Sequence, residues 1–358
     1  MQDIVASHKL AIKGFATKNP IFVCVISYSA TCEIPGLTAA GANRDLMKYT
    51  SPADAEFLYY GRCKCIDAIP ATPDGKPTPA LITRAALQTG NIPLLVIDAG
   101  AKVKPSIPCM SFGLEPGRNI MNENAMDYSM VRRALEYGEL IGKQLAALSD
   151  VVVIGESIPG GTTTALAVLS ALGIDARFKV SSSMPENPHD LKNKVVATAI
   201  NRAGSVSSPY EAVAAYGDPM MPSVAGIASG AVAAGSKVIL AGGTQMSAVV
   251  AILKHNVKSI DKLCIGTTTY VTRDSSSDLA GLVSAVSKKV PVLSCDLHLG
   301  ESIKPGLQAF AKGFVKEGVG AGGASIAAMI KSKGRITGKT LLKAIEKDYE
   351  TLIEIAHC

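Results

Sequence analysis

The sequence predicts an α/β protein: a parallel, Rossmann-like sheet covered by helices on both faces, with a smaller helical part from the N- and C-terminal segments. Three observations carry that prediction. Short β-branched runs alternate with helix-length stretches along most of the 358 residues. The strand-length runs are apolar throughout, as strands covered on both faces are, where half-solvated strands would alternate. The composition, 47% hydrophobic and 18% charged with 33 Gly and no Trp, is that of a packed chain rich in tight turns.

The elements follow in order. Residues 3–16 read as an N-terminal helix. Strands are expected at 21–27, 94–98, 151–155, 237–241, 263–266 and 292–296. Helices are expected at 126–148, 162–172, 191–203, 222–234, 245–255 and 278–288. Residues 72–79 (TPDGKPTP) form a turn-rich loop. From Lys304 onward, helical patterns centre on 306–315, 324–333 and 340–356, and no strand follows. With no linker, repeat or low-complexity tract, the chain reads as one unit, 1–358. Its core spans about 90–300, and segments 1–20 and 304–358 make a helical cap.

Composition also excludes classes of function. No apolar run approaches the ~18 residues that span a bilayer. The polar N-terminus lacks the apolar core of a secretory signal, so a cytoplasmic location is expected and no membrane partner. The net charge of +6 is spread along the chain, without basic runs interleaved with aromatics. It suits small anionic ligands better than nucleic acid. Of the eight Cys, Cys63 and Cys65 stand too close for a CxxC redox or zinc pair, and Cys24, Cys109, Cys264 and Cys295 lie in apolar segments. The five His are isolated from them, and no acidic pair for Mg²⁺ is evident, so neither metal nor cofactor is expected. His298 has no nucleophilic or acidic partner pattern and reads as a core or rim histidine.

The informative residues follow the strands. Four strand ends carry Gly and small hydroxyl residues: 155–164, 241–245, 266–269 and 294–302. In a parallel sheet these lie on one rim, where ligands bind, and backbone N–H groups with Thr and Ser hydroxyls suit a phosphate or ribose. In each loop taken singly, short turns and helix caps account for the same residues. The first loop runs Gly155-Glu156-Ser157-Ile158-Pro159-Gly160-Gly161-Thr162-Thr163-Thr164. It has a P-loop outline, but Gly161 stands where the lysine belongs, so it lacks the counter-charge for a triphosphate. A glycine-rich turn entering a helix can still bind a monophosphate. Gly160 and Gly161 let the backbone approach the ligand, Thr162 can cap the helix or meet the ligand, and Glu156 suits ribose hydroxyls better than phosphate.

These residues resemble the GExGxGNTT loop of nicotinate-nucleotide:dimethylbenzimidazole phosphoribosyltransferases, with Ile158-Pro159 and Gly161 as departures. The resemblance extends through Pro116-Gly-Arg-Asn119, Ala125-Met126, Asp190-Leu-Lys-Asn-Lys-Val195, Pro209-Tyr-Glu-Ala-Val213, Gly217-Asp218, Ser302-x-x-Pro305-Gly306 and Lys316-Glu317-Gly-Val-Gly320. It covers roughly residues 95–330 in the family's order, while 20–90 look like a divergent, archaeal-type branch. It implies transfer of phosphoribosyl from nicotinate mononucleotide to a benzimidazole-like base, as in cobamide lower-loop assembly, by a homodimer acting on small molecules. Carried over residue by residue, it makes Glu317 the general base and gives Glu156 ribose contact or support of charge at the anomeric carbon. Gly155, Gly160, Gly161, Thr162 and Thr163 then form the phosphate and ribose loop, with Lys194 and Ser302 on the phosphate. Two other readings stand beside it: a non-catalytic nucleotide-binding homologue, and a degenerate P-loop phosphotransferase.

Overall fold

The computed structural model describes residues 2–6, 11–40, 43–66, 76–257 and 259–356. Its strands are β1 (Ile4–Ala6), β2 (Pro20–Ile26), β3 (Leu94–Asp98), β4 (Met110–Ser111), β5 (Val151–Ser157), β6 (Lys237–Ala241), β7 (Leu263–Thr268) and β8 (Val292–Cys295). They form one sheet in the order β1-β8-β7-β6-β5-β2-β3-β4, parallel except for β1. The chain winds from β2 out to β3 and β4, then returns to β5 on the other side of β2. The β2–β5 boundary is therefore the topological switch point, where a crevice opens beyond the carboxyl ends of the strands.

The helices are α1 (Ala11–Gly14), α2 (Thr50–Tyr60), α3 (Ala80–Gly90), α4 (Tyr128–Leu148), α5 (Gly161–Ala171), α6 (His189–Ala203) and α7 (Pro209–Tyr216). They continue as α8 (Met220–Ala233), α9 (Met246–Asn256), α10 (Thr269–Thr272), α11 (Leu279–Val286), α12 (Pro305–Ala311), α13 (Ala321–Lys331) and α14 (Gly338–Ala356). Because the strands are apolar on both faces, the sheet separates two cores. One joins it to α4, α5, α7, α8, α9 and α11, the other to α2, α3, α13 and α14. Helices α4 and α8 cross with their backbones in contact: a Cβ at Gly142 would stand 2.1 Å from the Ile227 carbonyl, and one at Gly226 2.4 Å from that of Leu135.

The expected strands and the central helices are present. The N-terminal reading needs correction, because residues 3–16 are not one helix. Ile4–Ala6 pairs antiparallel with β8, and only Ala11–Gly14 turns helically. The β-branched pair Ile4-Val5 covers the sheet edge, as exposed edges require. Asp3 anchors it by accepting the Gly338 N–H at 3.0 Å and lying 3.3 Å from His298 Nε2. His298 is thereby a tie at this edge, on the rim. The C-terminal segment is helical as expected, and its middle helix is a layer of the sheet. At the start of α13, Gly322 and Gly323 lie so close to β7 and β6 that a Cβ would meet Thr267 backbone at 2.0 Å and Ala241 at 2.2 Å. This approach fixes where the residues just before α13 must run. Residues 72–75 of the turn-rich loop lie outside the described residues.

Candidate active site

A cavity opens at the switch point, bounded by the β5–α5 and β6–α9 loops, the segment before α13, the 181–183 loop and α2 with its approach. Three carboxylates face it: Asp54 and Glu156, which are buried, and Glu317, which is half-buried.

Glu317 sits in the turn between α12 and α13. Both its oxygens are held: Oε2 accepts from Thr268 N (2.9 Å) and Thr267 Oγ1 (3.1 Å), Oε1 from Gly318 N and Gly322 N (3.2 Å each). Burial pushes its carboxyl up to about 7, against the pull of these four donors. The surrounding backbone is strained, with Val315 (φ 46°) and Val319 (φ 54°) in a left-handed region that β-branched residues avoid. Hydrogen bonds hold them there: Val315 N–H to Ser183 O (2.9 Å), Val319 N–H to Glu156 O (2.9 Å) and Thr83 Oγ1 to Val319 O (3.0 Å). The strain fixes Glu317 beside Glu156.

Glu156, near the end of β5, is pushed well above the usual carboxylate range by burial, then by the nearby Asp218, Glu317 and Asp54 carboxylates. Asp218 lies behind the loop, accepting from Thr164 Oγ1 at 2.6 Å, and burial raises it to about 6. Asp54, on α2, accepts from Thr78 Oγ1 and Ser157 Oγ at 2.7 Å each, and burial raises it too to about 6. Two helix N-termini meet this acidic cavity, with Gly160 and Gln245 as the cap residues of α5 and α9, while that of α13 is engaged by Glu317 through the Gly322 N–H. Their positive ends offset part of the negative charge and offer N–H groups to an anion.

The expected loop is divided by the structure. Gly160, Gly161 and Thr162 line the cavity with Glu156. Gly160 has φ +76° and a Cβ there would stand 3.0 Å from Cys32, so glycine is required twice over. Gly161 leaves room for Gln245: a Cβ would stand 2.7 Å from its Oε1. Gln245 thus supplies a carboxamide to the loop from the next strand end. Gly155 lies beneath, packed on Gly320 and Phe22, and lets α13 approach β5. Thr163 is fully buried with no partner for its Oγ1 among the described residues.

Lys194 and Ser302 are not brought to the cavity. Lys194 lies on the exposed face of α6, and Ser302 is buried, donating to Glu346 Oε1 at 2.6 Å and accepting the Lys304 N–H at 3.1 Å. Of the four strand ends, those of β5 and β6 line the cavity, that of β7 holds Glu317, and that of β8 lies apart beside β1 and α12.

The lysine that does matter is Lys192, fully buried, whose Nζ donates to Ser181 O (2.6 Å) and Asn187 Oδ1 (3.1 Å). Burial and the neighbouring Lys316 lower it to about 7, with Asp274 opposing. Lys316, also buried, pairs with Asp274 at 2.9 Å and donates to Met184 O at 3.3 Å. Two lysines therefore grip carbonyls of the 181–184 turn from behind, while Ser181, Ser182 and Ser183 face the cavity. Sequence reasoning also missed Asp54, since α2 and α3 were not expected. The acid Glu56 on α2 has a different role: it accepts the N–H groups of Lys64, Cys65 and Ser106 at 2.6–2.8 Å and ties down the segment carrying Cys63 and Cys65.

A family profile described as Phosphoribosyltransferase matches residues 80–305, well over half the chain. The chain belongs to the nicotinate-nucleotide:dimethylbenzimidazole phosphoribosyltransferase family. A relative in Archaeoglobus fulgidus, named UPF0284 protein, is 49% identical over 334 residues, covering 93% of this phosphoribosyltransferase and 94% of its own length. One of the same name in Sulfolobus acidocaldarius is 46% identical over 346 residues, covering 96% and 97%. Those names state no activity. Among solved structures, CobT from Thermus thermophilus superposes with a TM-score of 0.63 at 18% identity over 91% of this chain and 86% of that one. A second structure from that organism, titled as the nicotinate-nucleotide–dimethylbenzimidazole phosphoribosyltransferase, gives 0.61 at 17% identity over 90% and 86%. At such identity the likeness is one of fold.

Proposed function

We propose that this phosphoribosyltransferase moves phosphoribosyl from nicotinate mononucleotide to a benzimidazole-like base, giving an α-ribotide and nicotinate, as cobamide lower-loop assembly requires. The observation that carries this reading is Glu317: a half-buried carboxylate locked by four donors, facing the same cavity as the α5 N-terminus, with Glu156 beside it.

The phosphate is received by the N–H groups of the Gly160–Gly161–Thr162 turn, with Gln245 and the 181–183 hydroxyls around it. One ring nitrogen of the base attacks the anomeric carbon. The bond to nicotinate breaks with its electron pair going to the pyridinium nitrogen, which becomes neutral. The attached base is then cationic, and its remaining N–H proton passes to Glu317 as one of the four donors on that carboxylate gives way, and on to solvent. A carboxyl near 7 is matched to that transfer at neutral pH. Glu156, its carboxyl raised well above the usual range by burial and the neighbouring acids, faces the same cavity, where it contacts the ribose or supports positive charge at the anomeric carbon.

Incubation with nicotinate mononucleotide and a panel of bases, followed by mass spectrometry, tests the reading. An α-ribotide with equimolar nicotinate is expected; a folded protein that yields neither with any base would sink it. Lys194 and Ser302 lie away from the cavity, which favours a second reading, a nucleotide-binding homologue without turnover. Tight nucleotide binding without nicotinate release would select it. We also propose a homodimer, for which sedimentation should give twice the 37.1 kDa chain mass.

A further inference from the structure

Asp54 has no part in the chemistry above, yet it is a buried carboxylate on the wall of the cavity. Its surroundings differ from those of the α5 turn. Around it the cavity is lined by Leu37, Leu46, Tyr49, Ala53 and Ile66, a wall suited to a flat aromatic ring. Two hydroxyls occupy two of the roughly four acceptor sites of its carboxylate, leaving the others for a ligand. One turn earlier on the same helix, Thr50 also lines the cavity, and its buried Oγ1 has no partner among the described residues. Residues four apart on a helix share a face. An acceptor and an unused hydroxyl are thus presented together on one face of α2.

Position adds a second constraint. Asp54 is tied to the end of β5 through Ser157, and Glu317 to the end of β7 through Thr267 and Thr268, with β6 between. Two strand spacings are on the order of 10 Å, a span that a fused bicyclic ring bridges with a hydrogen bond at either end. Desolvating a charged carboxylate against a methyl group would be costly, whereas a donor there restores what burial removes.

Resting on the transferase reading, we propose that Asp54 determines which base is accepted: a bicyclic heteroaromatic whose second ring carries a hydrogen-bond donor, an amino, hydroxyl or ring N–H group, that Asp54 receives. A base carrying only methyl groups at that edge covers the remaining acceptor sites of Asp54 without filling them and is the poorer substrate. A charge-assisted hydrogen bond of about 1.5 kcal/mol or more corresponds to about tenfold or more in selectivity.

The test compares 5-aminobenzimidazole with 5,6-dimethylbenzimidazole, both with nicotinate mononucleotide, in the wild type and in Asp54→Asn, which keeps the side-chain shape and removes the charge. The wild type should favour the amino base in kcat/KM by at least about tenfold, and Asp54→Asn should lose most of that preference. Asp54→Leu should turn it toward the dimethyl base, and a thermal melt shows whether each variant is folded. A wild type that favours the dimethyl base, or a preference unchanged in Asp54→Asn, overturns the proposal. If neither base gives product, the transferase reading falls. Asp54 is then judged by calorimetric affinities of the two bases for nucleotide-loaded protein, where equal affinity counts against it.

Discussion

Glu317→Gln removes the proton acceptor and keeps the side-chain shape, its single amide oxygen still able to accept from one donor pair, Thr267 with Thr268 or Gly318 with Gly322. Turnover should fall about 10²- to 10⁴-fold in kcat, the range for loss of a general base, with the KM for nucleotide little changed. Because the base acts when ionised, the wild-type rate should climb with pH and level off above about 7. A variant that keeps its kcat would remove Glu317 from that role. Gly161→Ala probes the neighbouring contact. The added Cβ would stand 2.7 Å from Gln245 Oε1 and 2.9 Å from Ile158 Cγ2, two side chains that line the cavity, so nucleotide KM should rise more than stability falls. A fall in thermal stability with unchanged KM would contradict that role of Gln245.

Among elements, the 181–184 turn depends on a charge the cavity never touches. In Lys192→Met the carbonyl of Ser181 and the Asn187 Oδ1 lose a buried donor, a loss of about 1–3 kcal/mol. The turn should loosen, raising the KM for nucleotide more than it lowers kcat, and amide exchange at 181–183 should quicken. Equal protection in variant and wild type would show that the lysine does not hold the turn. The contact of β5 with α13 is equally local in cause. A Cβ at Gly155 would stand 2.7 Å from Phe22 Cζ and 2.9 Å from Gly320 Cα, so Gly155→Ala overpacks the core by about 1–3 kcal/mol. Denaturant unfolding measures it, and an unchanged midpoint would show that α13 can shift without loss.

For the whole molecule, the gathered acids make stability depend on pH. The carboxyls of Asp54 and Asp218 are raised to about 6 and that of Glu317 to about 7, each mainly by burial. The folded state therefore holds protons that the unfolded chain releases near pH 4. The stabilisation is fully present below that pH and is lost as pH rises through 6 to 7. The ligand-free protein should melt at a higher temperature at pH 5 than at pH 7.5, and Asp218→Asn should lessen the difference. A melting temperature that rises over that interval would contradict the assignment. The depressed Lys192 contributes in the opposite sense, above pH 7.

The sheet was legible in the sequence because strands covered on both faces must be apolar throughout. Those at Leu94–Asp98 and Lys237–Ala241 fall where the β-branched runs predict them. Amphipathic α4 was legible for the corresponding reason. Helix α2 was not, since Ser51 through Leu58 are buried on every side and leave no period to read. The glycine loop was also legible, because close backbone approach needs particular residues in a particular order, whereas Glu317 stood out only through the family resemblance. Tertiary structure alone decided which charges face the cavity. Lys192 and Lys194 differ by two positions, about 200° around a helix, so one is buried behind the serine turn and the other is in solvent. Ser302 found Glu346 at the far end of the chain, and Asp54 reached the switch point only because α2 packs there. Sequence determines what a segment can become; burial and long-range partners determine which of its polar groups are left for a ligand.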